Sequence, residues 1–193
     1  MQIKKVKKEF LWGAILVFLM VSSVFGIIFG GFSGGTNKVD YNGFKFVRKG
    51  DVWSAKINKN EIFFDYFPTE VQDINISSEA LNKISSTKMV YFTSNPNSRY
   101  SKSIGYSQFR LSESMGKYFN IFSSFGFKEN FTERIPLITC ENTTQFVPVV
   151  DFREANDTKV FLEDGCIIIN GNRETDFIRA KDKIIYTLFG IIK

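Results

Sequence analysis

The sequence contains no histidine in its 193 residues. Histidine is the side chain that most often serves as a general base near neutral pH, and it is a usual zinc ligand. Its absence therefore disfavours a conventional hydrolase or a metalloenzyme. Chemistry carried by carboxylate, serine or lysine side chains stays open.

The motifs that mark common catalytic and cofactor sites are also missing. The chain has no GxSxG nucleophile elbow, no Cys/His pair, and no GxxxxGK[ST] or GxGxxG phosphate-binding loop. Its late acidic residues lack the D-x-[DN]-x-[DN]-G spacing of a calcium loop; they are Asp151, Glu154, Asp157, Glu163 and Asp164. The sequence therefore assigns no catalytic residue, no cofactor and no metal ligand.

A large charge imbalance is missing from most of the chain, although the net charge is +5. The first nine residues, with four lysines and one glutamate, contribute +3, which leaves only +2 for the remainder. A nucleic-acid interface requires a stronger basic footprint than this. We therefore predict no nucleic-acid partner.

Residues 10–32 are mostly apolar and carry no charged side chain, and Lys4, Lys5, Lys7 and Lys8 precede them. A bilayer core of about 30 Å needs roughly 20 apolar residues in a helix. Lysines on the short N-terminal flank orient such a helix with that flank in the cytoplasm. The pattern predicts a single-pass cell-membrane protein with residues 1–9 in the cytoplasm, a transmembrane helix over 10–32, and the main domain outside.

Two other interpretations of the apolar stretch remain open. Small residues at 21–23 and 24–26 fit cleavage of a signal peptide, but the apolar run continues through 27–29 and is longer than the usual core of such a peptide. A pilin-like subunit is a further alternative. It is disfavoured because Lys8-Glu9-Phe10 offers no small residue at the cleavage point.

The only two cysteines, Cys140 and Cys166, both lie on the predicted outer side of the membrane. A lone pair outside the cytoplasm usually forms a disulfide, and two buried free thiols are the alternative. Four N-x-[ST] sequons on the same side mark acceptor sites for glycans; their asparagines are Asn75, Asn130, Asn142 and Asn156.

The start of the outer domain has the alternating pattern of β-strands. Gly and Ser residues indicate a flexible linker over 33–42, which places the domain at 43–193. Alternating apolar residues, polar turns and a closing Pro68 predict a three-stranded antiparallel meander over 44–47, 52–57 and 61–67. This meander either extends the main sheet or packs beside it.

The remainder of the domain mixes helices and strands. Apolar stripes with a 3.6-residue period predict a long helix over 101–122, capped by Gly126, and a closing helix over 173–189, and Ser77 begins a short helix to about residue 84. Strands are predicted at 88–93, 135–140, 146–152 and 159–169, the last interrupted by a turn at 164–165. The fold class is α+β, or α/β, with a mixed sheet and two main helices.

A candidate ligand loop lies between the strand at 88–93 and the long helix. The loop Ser94-Asn95-Pro96-Asn97-Ser98 precedes a helix N-terminus, where anions are favoured, and nearby Arg99 and Lys102 add positive charge. The candidate residues are Asn95, Asn97, Arg99 and Lys102. An ordinary turn with an N-cap is the alternative.

Taken in order, these segments resemble a group of small archaeal proteins. The likeness rests on the N-terminal anchor followed by FFDYFPTEV, VYFTSNPN, PLITC, PVVDF, CIIIN and a tail with AKDKIIYTLFGI. The chain looks like uncharacterised archaeal proteins that have one membrane anchor and a two-cysteine outer domain. The resemblance implies an archaeal host, a cell-envelope setting and pairing of Cys140 with Cys166, and it implies no site residues.

These features favour a membrane-anchored extracytoplasmic domain that binds a partner or organises the cell envelope. Its partners would be the lipid bilayer, through residues 10–32, and an envelope protein or glycan. One alternative is an envelope enzyme that uses serine, lysine or paired carboxylates such as Asp65 and Glu70. Another is a structural subunit that forms homo-oligomers through the anchor and the apolar C-terminus, residues 184–193.

Overall fold

The computed structural model describes Gly13 and residues 15–21, 38–129 and 134–192. The chain divides into two units, residues 1–37 and 38–193. Gly13 and residues 15–21 are helical, and the rest of the predicted span over 10–32 lies outside the described residues. None of the helices within the described ranges combines the length and the apolar character needed to cross a membrane.

The second unit begins with an antiparallel sheet of four strands in the order β1-β2-β3-β4. Three of them confirm the predicted meander, but the sheet has a fourth strand, β1, that falls inside the predicted linker over 33–42. The tight turn Asn42-Gly43, with φ of 48° and 81°, joins β1 to β2. The strands are β1 (Lys38–Tyr41), β2 (Phe44–Lys49), β3 (Val52–Ile57) and β4 (Asn60–Phe64).

A separate sheet of six strands forms the centre of the unit, in the order β5-β9-β10-β8-β6-β7. Neighbouring strands are parallel, except that β9 and β10 form an antiparallel hairpin. Its strands are β5 (Asn75–Ile76), β6 (Met89–Ser94), β7 (Phe122–Phe125), β8 (Val149–Glu154), β9 (Lys159–Glu163) and β10 (Cys166–Gly171). The mixed α+β class is therefore confirmed, and the meander forms a sheet of its own.

Three α-helices cover one face of the six-stranded sheet. They are α1 (Ser78–Ser86), α2 (Ser101–Ser114) and α3 (Glu174–Leu188), and short 3₁₀ turns occur at Pro68–Val71 and Cys140–Asn142. Ser77 caps α1 by accepting a hydrogen bond from the amide of Ala80, at 3.2 Å. Asp176 in the first turn of α3 accepts the amide N–H of Arg173, at 3.0 Å.

Three predictions in the middle of the domain are wrong. The long helix does not reach residue 122: it continues beyond α2 as a π-helix, Met115–Phe119, and ends where Asn120 adopts a left-handed φ of 56°. Strand β7 follows at once, so Gly126 is not a helix cap. Residues 135–140 do not form a strand, since they contribute only one parallel bridge, between Phe127 and Leu137.

One continuous hydrophobic core lies between the helices and the two sheets. Strand residues such as Phe92, Phe152 and Ile169 pack against it from the six-stranded sheet. The four-stranded sheet joins it where the ring of Phe64 stacks on Tyr186 of α3, with centroids 4.1 Å apart. Much of the apolar C-terminus belongs to this core, because Ile184, Ile185, Ile191 and Ile192 are all buried.

A second apolar cluster covers the opposite face of the six-stranded sheet. Val149 and Ile168 on the sheet pack with Ile138, which comes from the irregular segment 134–148. The Cys140–Cys166 disulfide attaches this segment to β10, with the two Cα atoms 5.4 Å apart. The predicted cysteine pairing is confirmed.

Candidate functional site

A cleft of about 420 Å³ opens at the carboxyl ends of the parallel strands β6 and β7, beside the start of α2. We call it the α2 cleft. Its volume lies within the range of small-molecule sites, and this edge of a parallel sheet is where ligands commonly bind. It is lined by Ser94, Asn95, Pro96, Ser101, Gly105, Gln108, Phe125, Gly126, Phe127, Arg134, Ile135 and Pro136.

The β6–α2 loop forms one rim of the α2 cleft, and hydrogen bonds fix its shape. The side chain of Asn95 accepts the amide N–H of Asn97 at 2.8 Å, and the carbonyl of Asn95 accepts that of Ser98 at 3.2 Å. Glu154 at the end of β8 accepts hydrogen bonds from the Ser98 hydroxyl and from the Arg99 amide. The rim is thus attached to a neighbouring strand and is not a free loop.

Two buried polar side chains line the α2 cleft with unused hydrogen-bonding capacity. Ser94 is only 4% exposed and Gln108 only 8%. The Gln108 amide NH₂ donates to the carbonyl of Thr93 at 3.2 Å, which fixes its oxygen on the other side. Neither that oxygen nor the Ser94 hydroxyl has a hydrogen-bond partner among the residues that the structure describes.

Two features of positive electrostatic character line the α2 cleft. Ser101 in the first turn of α2 is one of the lining residues, and Tyr100 at the N-cap of this helix makes no capping hydrogen bond with its side chain, so the positive end of the helix dipole faces the cleft. Arg134 also lines the cleft and is exposed. Within the described ranges, Arg134 forms no ion pair.

The other walls are apolar or bare backbone. Phe125, Phe127, Ile135 and Pro136 supply apolar surface. A Cβ atom added at Gly105 would meet nothing within 4 Å, so α2 presents bare backbone to the cleft there. The arrangement can therefore hold a small molecule with both an apolar part and polar atoms.

The structure brings only part of the predicted ligand loop to the α2 cleft. Asn95 lines the cleft, with its amide NH₂ donating to Glu129 at 3.0 Å. Asn97 lines a neighbouring depression, and Arg99 forms an ion pair with Glu154 at 3.0 Å. Lys102 is exposed in the first turn of α2 and is not among the lining residues.

The sequence did not predict several of the residues that line the α2 cleft. Gln108 lies inside a helical stripe, Phe125 in a region predicted to follow a helix, and Arg134 almost 40 positions beyond Asn95. One available signal was Gly105, since a glycine inside a helix costs about 1 kcal/mol relative to alanine and often has a packing or functional reason.

The acidic residues of β8, of β9 and of the turn between them form ion pairs away from the α2 cleft. Asp151 is fully buried, and one of its oxygens contacts Lys128 at 2.7 Å and Arg153 at 2.6 Å. Arg153 also pairs with Glu163 at 2.6 Å, while Asp157 pairs with Lys159 at 2.8 Å. Across 38–129 and 134–192, no three His, Cys, Asp or Glu residues form a group suited to a metal ion.

A second buried charge cluster joins β4 to α3. The ammonium of Lys181 contacts Asp65 at 2.6 Å and Asp182 at 2.5 Å, and the Tyr106 hydroxyl donates to Asp65 at 2.8 Å. Burial raises the pKa of Asp182 to about 6, although the charge of Lys181 opposes this shift. Burial alone would lower the pKa of Lys181, but the charges of Asp182 and Asp65 outweigh it and raise that pKa.

The carboxylates of Asp65 and Glu70, considered together above, have different partners. Asp65 binds Lys181 and Tyr106, whereas Glu70 accepts the amide N–H of Phe67 at 2.6 Å and closes the 3₁₀ turn that begins at Pro68. Both carboxylates therefore have structural roles in the fold.

Three of the four sequon asparagines are exposed, namely Asn75, Asn142 and Asn156, and Asn130 lies outside the described residues. The side chain of Asn142 also accepts a hydrogen bond from the amide of Thr139, at 2.8 Å.

Comparisons with known proteins add no assignment: no family model matches the chain, and neither the curated proteins nor the solved structures gave a match.

Proposed function

We propose that this chain is a single-pass membrane protein whose extracytoplasmic domain binds a small organic ligand in the α2 cleft. The observation that carries the ligand site is the pair of buried polar side chains, Ser94 and Gln108. The free atoms of both side chains are open to solvent in the cleft, since neither is among the fully buried atoms that lack a hydrogen-bond partner. A ligand in the cleft can therefore replace the water that these atoms would otherwise bind.

The membrane anchor is supported by the first unit. Four lysines precede the uncharged stretch 10–32. All seven residues from Ile15 to Val21 are apolar and helical, and their side chains are 43–72% exposed. A lipid environment accommodates such a surface, whereas water does not.

An outer location for the second unit is supported by the Cys140–Cys166 disulfide, since disulfides persist mainly outside the cytoplasm. Tethering to the membrane would keep the α2 cleft close to other envelope components and raise its effective concentration toward them. An envelope protein or glycan is then a natural source of the ligand.

The proposal is tested with the full chain in lipid nanodiscs by saturation-transfer difference NMR. The probes are 3-phenylpropanoate, 3-phenylpropanamide and 3-phenylpropylamine, which share an apolar body and differ in head-group charge. We expect at least one probe to receive saturation from the wild type beyond that from empty nanodiscs. The Gly105→Leu variant should lose this signal, because leucine would occupy the open space at that wall.

Gly116→Leu is the matched control, since Gly116 is also an exposed helical glycine and is not among the lining residues of the α2 cleft. Both variants should remain folded, because leucine has a higher helix propensity than glycine. If no probe gives more signal with the wild type than with folded Gly105→Leu, the α2 cleft is not a ligand site.

A further inference from the structure

The first turn of α2 favours a negatively charged head group. Ser101 of this turn lines the cleft at the positive end of the helix dipole, and Arg134 lies on the same cleft without an ion pair among the described residues. Glu129 beside the rim accepts hydrogen bonds from the side-chain amides of Asn95 and Asn97, at 3.0 and 3.4 Å.

Further along the helix, Gln108 offers an acceptor to a hydrogen-bond donor of the ligand. One N–H of its NH₂ group donates to the carbonyl of Thr93, and its oxygen, which only accepts, has no hydrogen-bond partner among the described residues. Ser101 and Gln108 are seven positions apart, which is two helical turns or about 10.5 Å along the axis, so both lie on the same face of α2. Helical side chains lean toward the N-terminus, which brings this oxygen closer to the anion end.

The wall opposite α2 favours an apolar side chain. Phe125, Phe127, Ile135 and Pro136 line it, and the bare backbone at Gly105 leaves room for bulk between the two walls. A ligand that suits all three features has a carboxylate, an N–H group beside it and an apolar substituent.

Building on the proposed function, we propose that the α2 cleft binds an N-acyl α-amino acid carboxylate with an apolar side chain. The carboxylate lies at the first turn of α2 near Arg134. The amide N–H donates to the oxygen of Gln108, and the side chain packs on Phe125 and Ile135. A free acylated amino acid and the C-terminus of a peptide both supply this chemistry.

Dissociation constants for matched probes test the assignment on the full chain in nanodiscs. The probes are N-acetyl-L-phenylalanine, its primary amide, 3-phenylpropanoate, and the peptide Ala-Ala-Ala-Phe. We expect the acid to bind about tenfold or more tightly than the amide, because only the acid carries the charge that the helix end and Arg134 favour. It should also bind more tightly than 3-phenylpropanoate, which has no N–H.

Two variants assign these preferences to residues. Arg134→Gln should reduce the preference for acid over amide, while Lys102→Gln is the matched control, since Lys102 is an exposed cation of the same region that does not line the cleft. Gln108→Met should remove the advantage of N-acetylphenylalanine over 3-phenylpropanoate, because methionine has no amide oxygen to accept the N–H.

The outcomes separate this inference from the proposed function. Equal affinity for the acid and the amide would overturn the ligand class and leave the α2 cleft as a ligand site. Absence of binding by every probe, including the phenylpropyl series, would overturn both. Binding of the tetrapeptide supports a peptide C-terminus as the source, whereas binding of the single acylated residue alone supports a free acyl amino acid.

Discussion

Buried charges around Lys181 hold the four-stranded sheet against α3. Lys181 is 1% exposed and lies between Asp65, which follows β4, and Asp182, its neighbour in α3. Asp182 also accepts the amide N–H groups of Asp65 and Tyr66, each at 2.8 Å. Charges removed from water in this way are tolerated only because each one is paired and hydrogen-bonded.

The first prediction concerns removal of the lysine. Lys181→Met leaves two carboxylates without their cation, and breaking a buried pair in this way costs about 3–5 kcal/mol. We expect this loss in the free energy of unfolding, measured by urea denaturation in mild detergent, and a pKa of Asp182 that rises further. The matched control is Lys183→Met, because Lys183 is largely buried and contacts a carbonyl, that of Gln72, at 3.4 Å. Equal effects of the two substitutions would contradict a role for the ion pairs.

The second prediction concerns pH. Asp182 has a pKa of about 6 when folded, against an ordinary value of 3.8. Between these two pH values the folded chain keeps a proton on Asp182 that the unfolded chain has lost. The contribution of Asp182 to the free energy of unfolding therefore falls as the pH rises. It amounts to at most about 3 kcal/mol.

Urea denaturation at pH 4.5 and pH 6.5 checks this sign by comparing the wild type with Asp182→Asn, which has no titrating group at that position. The wild type should gain stability relative to the variant at the lower pH. A constant difference, or a gain at the higher pH, would contradict the raised pKa.

At the scale of elements, apolar periodicity in the sequence predicted most of the strands and helices whose pattern is visible within a short segment of chain. Strands β2 and β3 alternate apolar and polar residues, and α3 carries a clear apolar stripe. Strand β1 was missed although Asn42-Gly43 is a strong hairpin signal, because the preceding glycines indicated a linker.

Strand β7 was missed for a different reason. Phe122 continues the apolar stripe of α2, so a helical period extends through a segment that pairs in parallel with β6. Such pairing depends on a strand more than 30 residues earlier in the chain, and no local pattern encodes it. The α2 cleft was predictable only at the β6–α2 loop for the same reason, since Arg134 and Phe125 reach it through tertiary structure.

The third prediction tests the contact that forms the far wall of the α2 cleft. Segment 134–138 passes so close to Gly126 that an added Cβ would lie 2.6 Å from the side chain of Ile138 and from the carbonyl of Pro136. Gly126→Ala should therefore cost about 1–3 kcal/mol in the free energy of unfolding, as overpacked substitutions do.

Gly116→Ala is the control, because the nearest atom to its added Cβ, the carbonyl oxygen of Ile121, lies 3.9 Å away. This substitution should leave stability unchanged or raise it. A Gly126→Ala variant as stable as Gly116→Ala would show that the segment is not held against β7.

At the scale of the whole molecule, the proposed anchor and the disulfide require the same orientation. In the proposed orientation, lysines would hold the N-terminus inside and Cys140 and Cys166 would lie outside, where a disulfide persists. The exposed asparagines of three sequons would face the same compartment. These features come from separate parts of the chain, so one topology experiment tests them together.

The last prediction is that protease added to intact cells digests the domain beyond residue 37, and that the full chain sediments with membranes after carbonate extraction. Replacing Lys4, Lys5, Lys7 and Lys8 together by glutamine removes the charge bias that orients the helix. This variant should stay in the membrane and show a mixed or reversed orientation, with part of the domain protected from protease. Recovery of the intact wild type from the aqueous fraction, or complete protection in intact cells, would contradict the anchor or its orientation.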